Sequence, residues 1–319
     1  MLAMEYFPSR AGGDRAAFEG KTLVVPAVGH GNVGQLAVDL MIQTLVVDRL
    51  AHGQSVSAAS GASRLGCLDH PNVLPCVGPD AFAPIGGETG GETGGEICGE
   101  RRDRRTTLAT ALELHGDERA CPGVVFLQQR GDVAPGAASR FANDLASFIE
   151  SCAFERVVIA ASLPSTAQGA SSETIGDTRF RHARARAAVS ADGAGSFELE
   201  TDDRWTALDV PPIEPDSVPA DAVERALLPP WPLLRACAAT RKLDASCLAA
   251  VCSEGDNSDD AARAASMLVR FLKVEREPDE EGSTSSRARA APKLRDGWSV
   301  PSSWLGAYGR RAAARAMFA

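Results

Sequence analysis

The chain has 319 residues, 44% of them hydrophobic, 5% aromatic and 24% charged, with 30 glycines and 19 prolines. That length fits two average domains or one large α/β domain, and the composition indicates a folded core interrupted by loop-rich stretches. No apolar run approaches the roughly 20 residues of a spanning helix, which argues against a membrane protein. The net charge of −9 repels phosphate backbones, which argues against nucleic-acid binding without a local basic patch. From Arg287 onward, seven Lys/Arg face one acidic residue, so the end of the chain is +6 and the remainder −15.

Residues 1–20 read as a loose leader without a positively charged, apolar-cored signal. Thr22–Val28 reads as a buried strand. A glycine turn leads into a helix over Val33–Leu50, with Asn32 as cap and Gln35 completing a capping box. Gln35, Asp39 and Gln43 leave one polar stripe four residues apart. Nearly every other position is apolar, so the helix is expected to be buried on more than one side, by the domain or by a partner.

Residues 51–63 are small and polar, a loop, and Leu65–Val77 contains a strand shortened by Pro71 and Pro75. The repeat Gly-Gly-Glu-Thr over 86–96 and the basic run to Arg105 are expected to form a disordered insertion, 86–105. Thr106–His115 and Gly123–Gln129 read as a hairpin. From Ser139 a helix places Phe141, Leu145, Phe148, Ile149 and Cys152 on one face, and Arg156–Ser162 is a strand. Strand–helix–strand–helix order is the α/β pattern.

The basic run Arg179–Arg186 reads as a solvated surface segment, and Pro211–Pro232 is proline-rich. Leu243–Cys252 and Asp259–Val274 read as two helices. Gly255 is expected at positive φ to end the first, and Ser258 to cap the second, with Asp259 and Asp260 at its positive end. Residues 276–297 form a charged linker, and 298–319 a C-terminal segment.

Gly29-His30-Gly31-Asn32-Val33-Gly34 matches the dinucleotide fingerprint between strand and helix. Arg49–Gly61 lacks the acidic residue that holds the ribose, so a tight strand-to-helix turn is the preferred reading. An NAD(P)-dependent oxidoreductase is the competing one. Gly20-Lys21-Thr22 precedes its strand and is no P-loop. No nucleophile elbow and no H-E-x-x-H occurs. The eight cysteines form no C-x-x-C and the five histidines no zinc spacing, so neither metal nor cofactor is expected. Met317-Phe318-Ala319 ends the chain with an apolar pair and a free carboxylate, suited to a partner's pocket carrying a lysine.

Four segments together resemble the proteasome assembly chaperone 2 family. They are Thr22–Val28, Gly31-Asn32-Val33-Gly34-Gln35 with Leu36–Leu40 behind it, Ser253–Asn257, and Trp298-Ser299-Val300-Pro301-Ser302-Ser303-Trp304. Order and spacing agree from about residue 20 to the C-terminus, and the stretches 51–63, 86–105 and 276–296 look inserted or diverged. The resemblance implies a single α/β domain over 21–275, with a central sheet between helical layers (three-layer αβα) and a C-terminal arm. It implies no catalytic activity and a cytoplasmic and nuclear location. It also implies a heterodimer with proteasome assembly chaperone 1 that promotes α-ring formation and prevents off-pathway ring dimers. Family members dock on α-type proteasome subunits through a C-terminal hydrophobic-Tyr-X motif. Met317, Phe318 and Ala319 stand in that place, with Phe for Tyr. Leu228-Pro229-Pro230-Trp231-Pro232 replaces the family's glycine-rich sequence before the late helices.

Overall fold

A computed structural model describes residues 4–9, 15–51, 63–82, 108–164, 180–188, 196–213, 229–240, 242–275 and 293–304. Its centre is a nine-stranded sheet ordered β1-β3-β6-β7-β2-β8-β11-β9-β10. The strands are β1 (Glu5–Pro8), β2 (Thr22–Pro26), β3 (Arg64–Asp69), β6 (Leu112–His115), β7 (Val124–Gln129), β8 (Arg156–Pro164), β9 (Phe180–Ala188), β10 (Ser196–Glu200) and β11 (Asp244–Cys252). β4 (Val77–Pro79) and β5 (Leu108–Thr110) make a separate two-stranded sheet. The middle four strands, β7, β2, β8 and β11, run parallel; the outer pairings are antiparallel.

Period-two alternation divides each central strand between two cores. Val24, Val158, Ala160, Leu248 and Ala250 face one layer, α1 (Val33–Met41) and α6 (Ser258–Leu272). Leu23, Val25, Val157, Ile159 and Cys247 face the other, α3 (Ala138–Ser151) and α5 (Trp231–Thr240). This is the expected sheet between helical layers. α1 continues as a π-helical stretch, Ile42–Val47, into α2 (Asp48–Ala51), and α4 (Asp203–Thr206) is a single turn. The β6–β7 hairpin, α3 and β8 lie where the sequence pattern puts them.

Other expectations are corrected. Leu243–Cys252 is not a helix but β11, buried on both faces between β8 and β9. In the run Arg179–Arg186, residues 180–186 are not a solvated segment but part of the inner strand β9, with His182 and Ala183 buried, and Arg179 lies outside the described residues. Two of its arginines pair across the sheet, Arg184 with Asp244 at 3.1 Å and Arg186 with Glu200 at 3.0 Å. Residues 5–8, assigned to the leader, form the edge strand β1, and Phe18 is a core residue. In the linker, Lys293 bridges to Ser299. The repeat at 86–96 and the terminal Met317-Phe318-Ala319 lie outside the described residues.

Candidate functional site

In open α/β sheets, ligands bind beyond the carboxyl ends of the parallel strands, where the strand order reverses. Here β2 lies between β7 and β8, and the glycine turn leaves its carboxyl end. Gly31 and Asn32 both take left-handed backbone, φ 63° and 55°, before α1 begins at Val33. The expected capping box is absent. Asn32 makes no side-chain cap in this backbone, and the Gln35 amide instead donates to the Gln129 carbonyl at 2.8 Å.

Two of the turn's three glycines, Gly34 and Gly31, have a contact that explains them, whereas a Cβ on Gly29 would meet only ordinary contacts at 3.6–3.7 Å. A Cβ on Gly34 would lie 2.2 Å from the Ala160 carbonyl oxygen, so the helix rests directly on β8. A Cβ on Gly31 would lie 2.5 Å from the Asn257 amide nitrogen and 2.9 Å from Cys252 Sγ. Asn257 donates to the carbonyls of Gly31 and Ser253 at 3.1 Å and of Gly255 at 3.3 Å. In a dinucleotide site the second glycine admits a pyrophosphate. Here the chain's own Asn257 and Cys252 fill that space, so the geometry does not favour the oxidoreductase reading.

Ser258 does not cap α6; its backbone N–H is held by Asp256 Oδ1 at 3.0 Å. Gly255 has φ 138°, positive as expected, though it follows a strand.

The polar stripe of α1 is internal. Asp39 accepts from Gln128 at 2.5 Å and from the Trp304 indole at 3.1 Å, with the Arg130 guanidinium 3.6 Å away. Gln43 donates to Asp48 at 2.7 Å. Ser299 N–H reaches Thr44 Oγ1 at 3.0 Å, and the Trp298 indole reaches Ser266 Oγ at 3.0 Å. The segments that carry the family resemblance, far apart in sequence, therefore converge on one helix: Asn257 closes its start, and Trp298–Trp304 straps its side. The chain itself covers the helix, so the wide apolar surface of α1 needs no partner.

Two groupings of serine, histidine and carboxylate occur among the described residues, and neither is a hydrolytic site. His182 accepts the Asp202 backbone N–H at 3.0 Å on Nε2, and its Nδ1–H donates to the Val210 carbonyl at 2.9 Å. Both ring nitrogens are thus occupied by backbone, and burial holds its pKa down against the Val210 carbonyl and the Asp202 charge. Neighbouring Asp202 accepts from Ser246 and pairs with Arg204 at 2.8 Å. Burial alone pushes its carboxyl up, but the Arg204 and Ser246 hydrogen bonds prevail and hold it at about 2. In the second grouping Ser63 meets His115 Nδ1 at 3.2 Å, and Glu113 meets His115 Nε2 at 3.5 Å and Arg64 at 2.9 Å. Burial raises the Glu113 pKa, but His115 and Arg64 outweigh it. Ser63 is fully enclosed and Phe82 packs edge-on against the imidazole, so no substrate reaches the hydroxyl.

The described cysteines are free thiols. Burial pushes Cys121 up to about 11 and Cys237 up to about 12, the opposite of an activated nucleophile. No group of three or more His, Cys, Asp and Glu among the described residues is placed to hold a metal.

The PAC2 family model matches residues 23–278, from β2 to just beyond α6. The chain belongs to the PAC2 family. Within it, the chain is similar to proteasome assembly chaperone 2 of Nematostella vectensis, 27% identical over 81% of this chain and 91% of that protein. It is 26% identical to proteasome assembly chaperone 2 of Danio rerio, over 89% and 95%. It is 23% identical to that of Homo sapiens, over 89% and 90%. Among solved structures it is similar to Pyrococcus furiosus PbaA, described as an archaeal homolog of proteasome-assembly chaperone. That likeness has a TM-score of 0.47 at 12% identity, over 82% of this chain and 84% of that one.

Proposed function

We propose that this PAC2-family chain is a non-enzymatic chaperone of proteasome core-particle assembly. It acts as a heterodimer with proteasome assembly chaperone 1, promotes formation of the α-ring and prevents off-pathway ring dimers. It works in the cytoplasm and nucleus. Met317, Phe318 and Ala319 dock on α-type subunits, the apolar pair in a pocket and the terminal carboxylate on a lysine.

The observation that carries this reading is the family match over 23–278. The closed glycine turn supports it, because the space where the competing reading needs a pyrophosphate holds Asn257 and Cys252.

The test is affinity purification of the intact chain from cells that express it, with bound proteins identified by mass spectrometry. The purified chain is titrated with NAD(H) and NADP(H) in parallel. The expected result is recovery of α-type subunits with a companion chaperone, and no saturable dinucleotide binding. Saturable dinucleotide binding without α-type subunits overturns the reading.

A further inference from the structure

Charge alternates from strand to strand across one half of the nine-stranded sheet. On the face that carries Val158 and Leu248, Arg156 of β8 lies 3.5 Å from Asp244 of β11, and Asp244 lies 3.1 Å from Arg184 of β9. Arg186 of β9 lies 3.0 Å from Glu200 of β10, and Glu198 stands opposite Arg186 in the register. The order is cation, anion, cation, anion over β8, β11, β9 and β10.

β10 ends the sheet, with β9 as its one strand partner among the described residues. The outer side of such a strand presents ladder N–H and C=O groups. Between its two glutamates, Leu199 turns to the opposite face and packs on the core that holds Ala183 and Ala185. The edge therefore reads acid, apolar, acid. Glu198 is exposed and has no ion pair among the described residues.

We infer that the β10 edge takes up an extended segment of a partner polypeptide, with basic residues at alternate positions and an apolar residue between them, as a further strand of the sheet.

The backbone of an edge strand offers hydrogen bonds to any extended chain, so the side chains select the occupant. Opposite charges directly across a ladder stabilise it and like charges destabilise it. A basic–apolar–basic segment sets its cations against Glu198 and Glu200, continues the alternation of charge, and lays its apolar side chain beside Leu199. A second copy of this chain fits badly. Antiparallel pairing of two β10 strands about Leu199 would place Glu198 against Glu200 twice. The inference stands apart from the proposed α-ring docking, and it is measured with no proteasome subunit present.

The probe is the capped, fluorescent peptide Thr-Arg-Val-Arg-Val-Thr, titrated with the intact chain at physiological ionic strength, where distant charges are screened. Two further peptides carry the same charge and N-methyl groups, one on both arginine amides and the other on both valine amides. Amides of successive strand residues point to opposite sides, so one of the two sets faces β10 and the other faces away. The expected result is a saturable rise in anisotropy with the unmethylated peptide, kept by one methylated peptide and weakened at least about tenfold in the other. Glu198→Lys, an exposed change whose fold is checked by circular dichroism, should weaken the unmethylated peptide at least about threefold. It should also tighten binding of the analogue with Glu in place of Arg. Equal binding by the two methylated peptides overturns the inference, because the attraction then comes from the net charge of −9 alone. So does a lack of saturable binding by the unmethylated peptide, or a Glu198→Lys chain that binds both charge forms as the unmodified chain does.

Discussion

Gly34→Ala tests whether the glycine turn serves packing. The position lies in the first turn of α1, where alanine is favoured over glycine by about 1 kcal/mol on helix propensity alone. Packing opposes this. The new methyl would sit 2.2 Å from the Ala160 carbonyl oxygen and 2.8 Å from its carbon, both backbone atoms of β8. Carbon–oxygen contacts settle at about 3.3 Å or more, so α1 must retreat from the sheet by roughly 1 Å. A gap of that size forfeits about a quarter to a half of each dispersion contact, and Val33, Leu36, Ala37 and Leu40 are all buried on this helix. Overpacking of this kind costs about 1–3 kcal/mol, occasionally more. Taking the middle of that range, about 2 kcal/mol, the propensity gain leaves a net loss of about 1 kcal/mol, a fall in Tm of about 2–4 °C for a domain of this size. Thermal unfolding of the intact chain and the variant, followed by circular dichroism, measures it. An unchanged or raised Tm refutes the argument, because propensity would then be the only term that matters.

Asn257→Ala removes three hydrogen bonds at the mouth of the turn and should cost about 1–3 kcal/mol in denaturant unfolding without creating NAD(P) binding. Trp304→Ala empties a buried indole site and leaves Asp39 one donor short, a loss of about 3–5 kcal/mol by the same measurement. Stability should also fall with acid in two windows. The pKa of His182 is depressed in the fold, so its contribution is full above the unfolded value of about 6.5 and is lost as pH falls through that value toward the folded one. Asp202 is held at about 2, so its contribution, about 2 kcal/mol, is full above the unfolded value near 4 and lost on approach to pH 2. Unfolding free energies across a pH series should therefore flatten below about pH 4 in Asp202→Asn. Deleting Met317-Phe318-Ala319 should weaken binding to assembled α-rings at least about tenfold, as loss of a buried aromatic anchor of about 2 kcal/mol requires. Equal affinities in a direct binding titration would rule out the docking arm.

The elements read correctly from sequence are those whose pattern is local. α3 and α6 each carry their own helix period, β2 and β8 are short runs rich in β-branched residues, and the β6–β7 hairpin has its own turn. β11 was hidden because a central strand is apolar on both faces, and Asp244–Cys252 has no polar alternation to separate it from a buried helix. β9 was hidden because its arginines look solvated until Asp244 and Glu200, distant in sequence, are placed beside them. β1 has four residues, too few to show a period. The glycine turn was legible as a turn, and its lack of an acidic ribose partner already weakened the dinucleotide reading. What closes it was not legible, because Asn257 meets Gly31 across 226 positions and Trp304 meets Asp39 across 265.

Purified α-type subunits, incubated with and without the chain and proteasome assembly chaperone 1, test the proposed assembly role when the products are resolved by native mass spectrometry. The expected result is a higher yield of single α-rings carrying both chaperones, with ring dimers suppressed. An unchanged distribution of rings and ring dimers, with no chaperone bound, would contradict it.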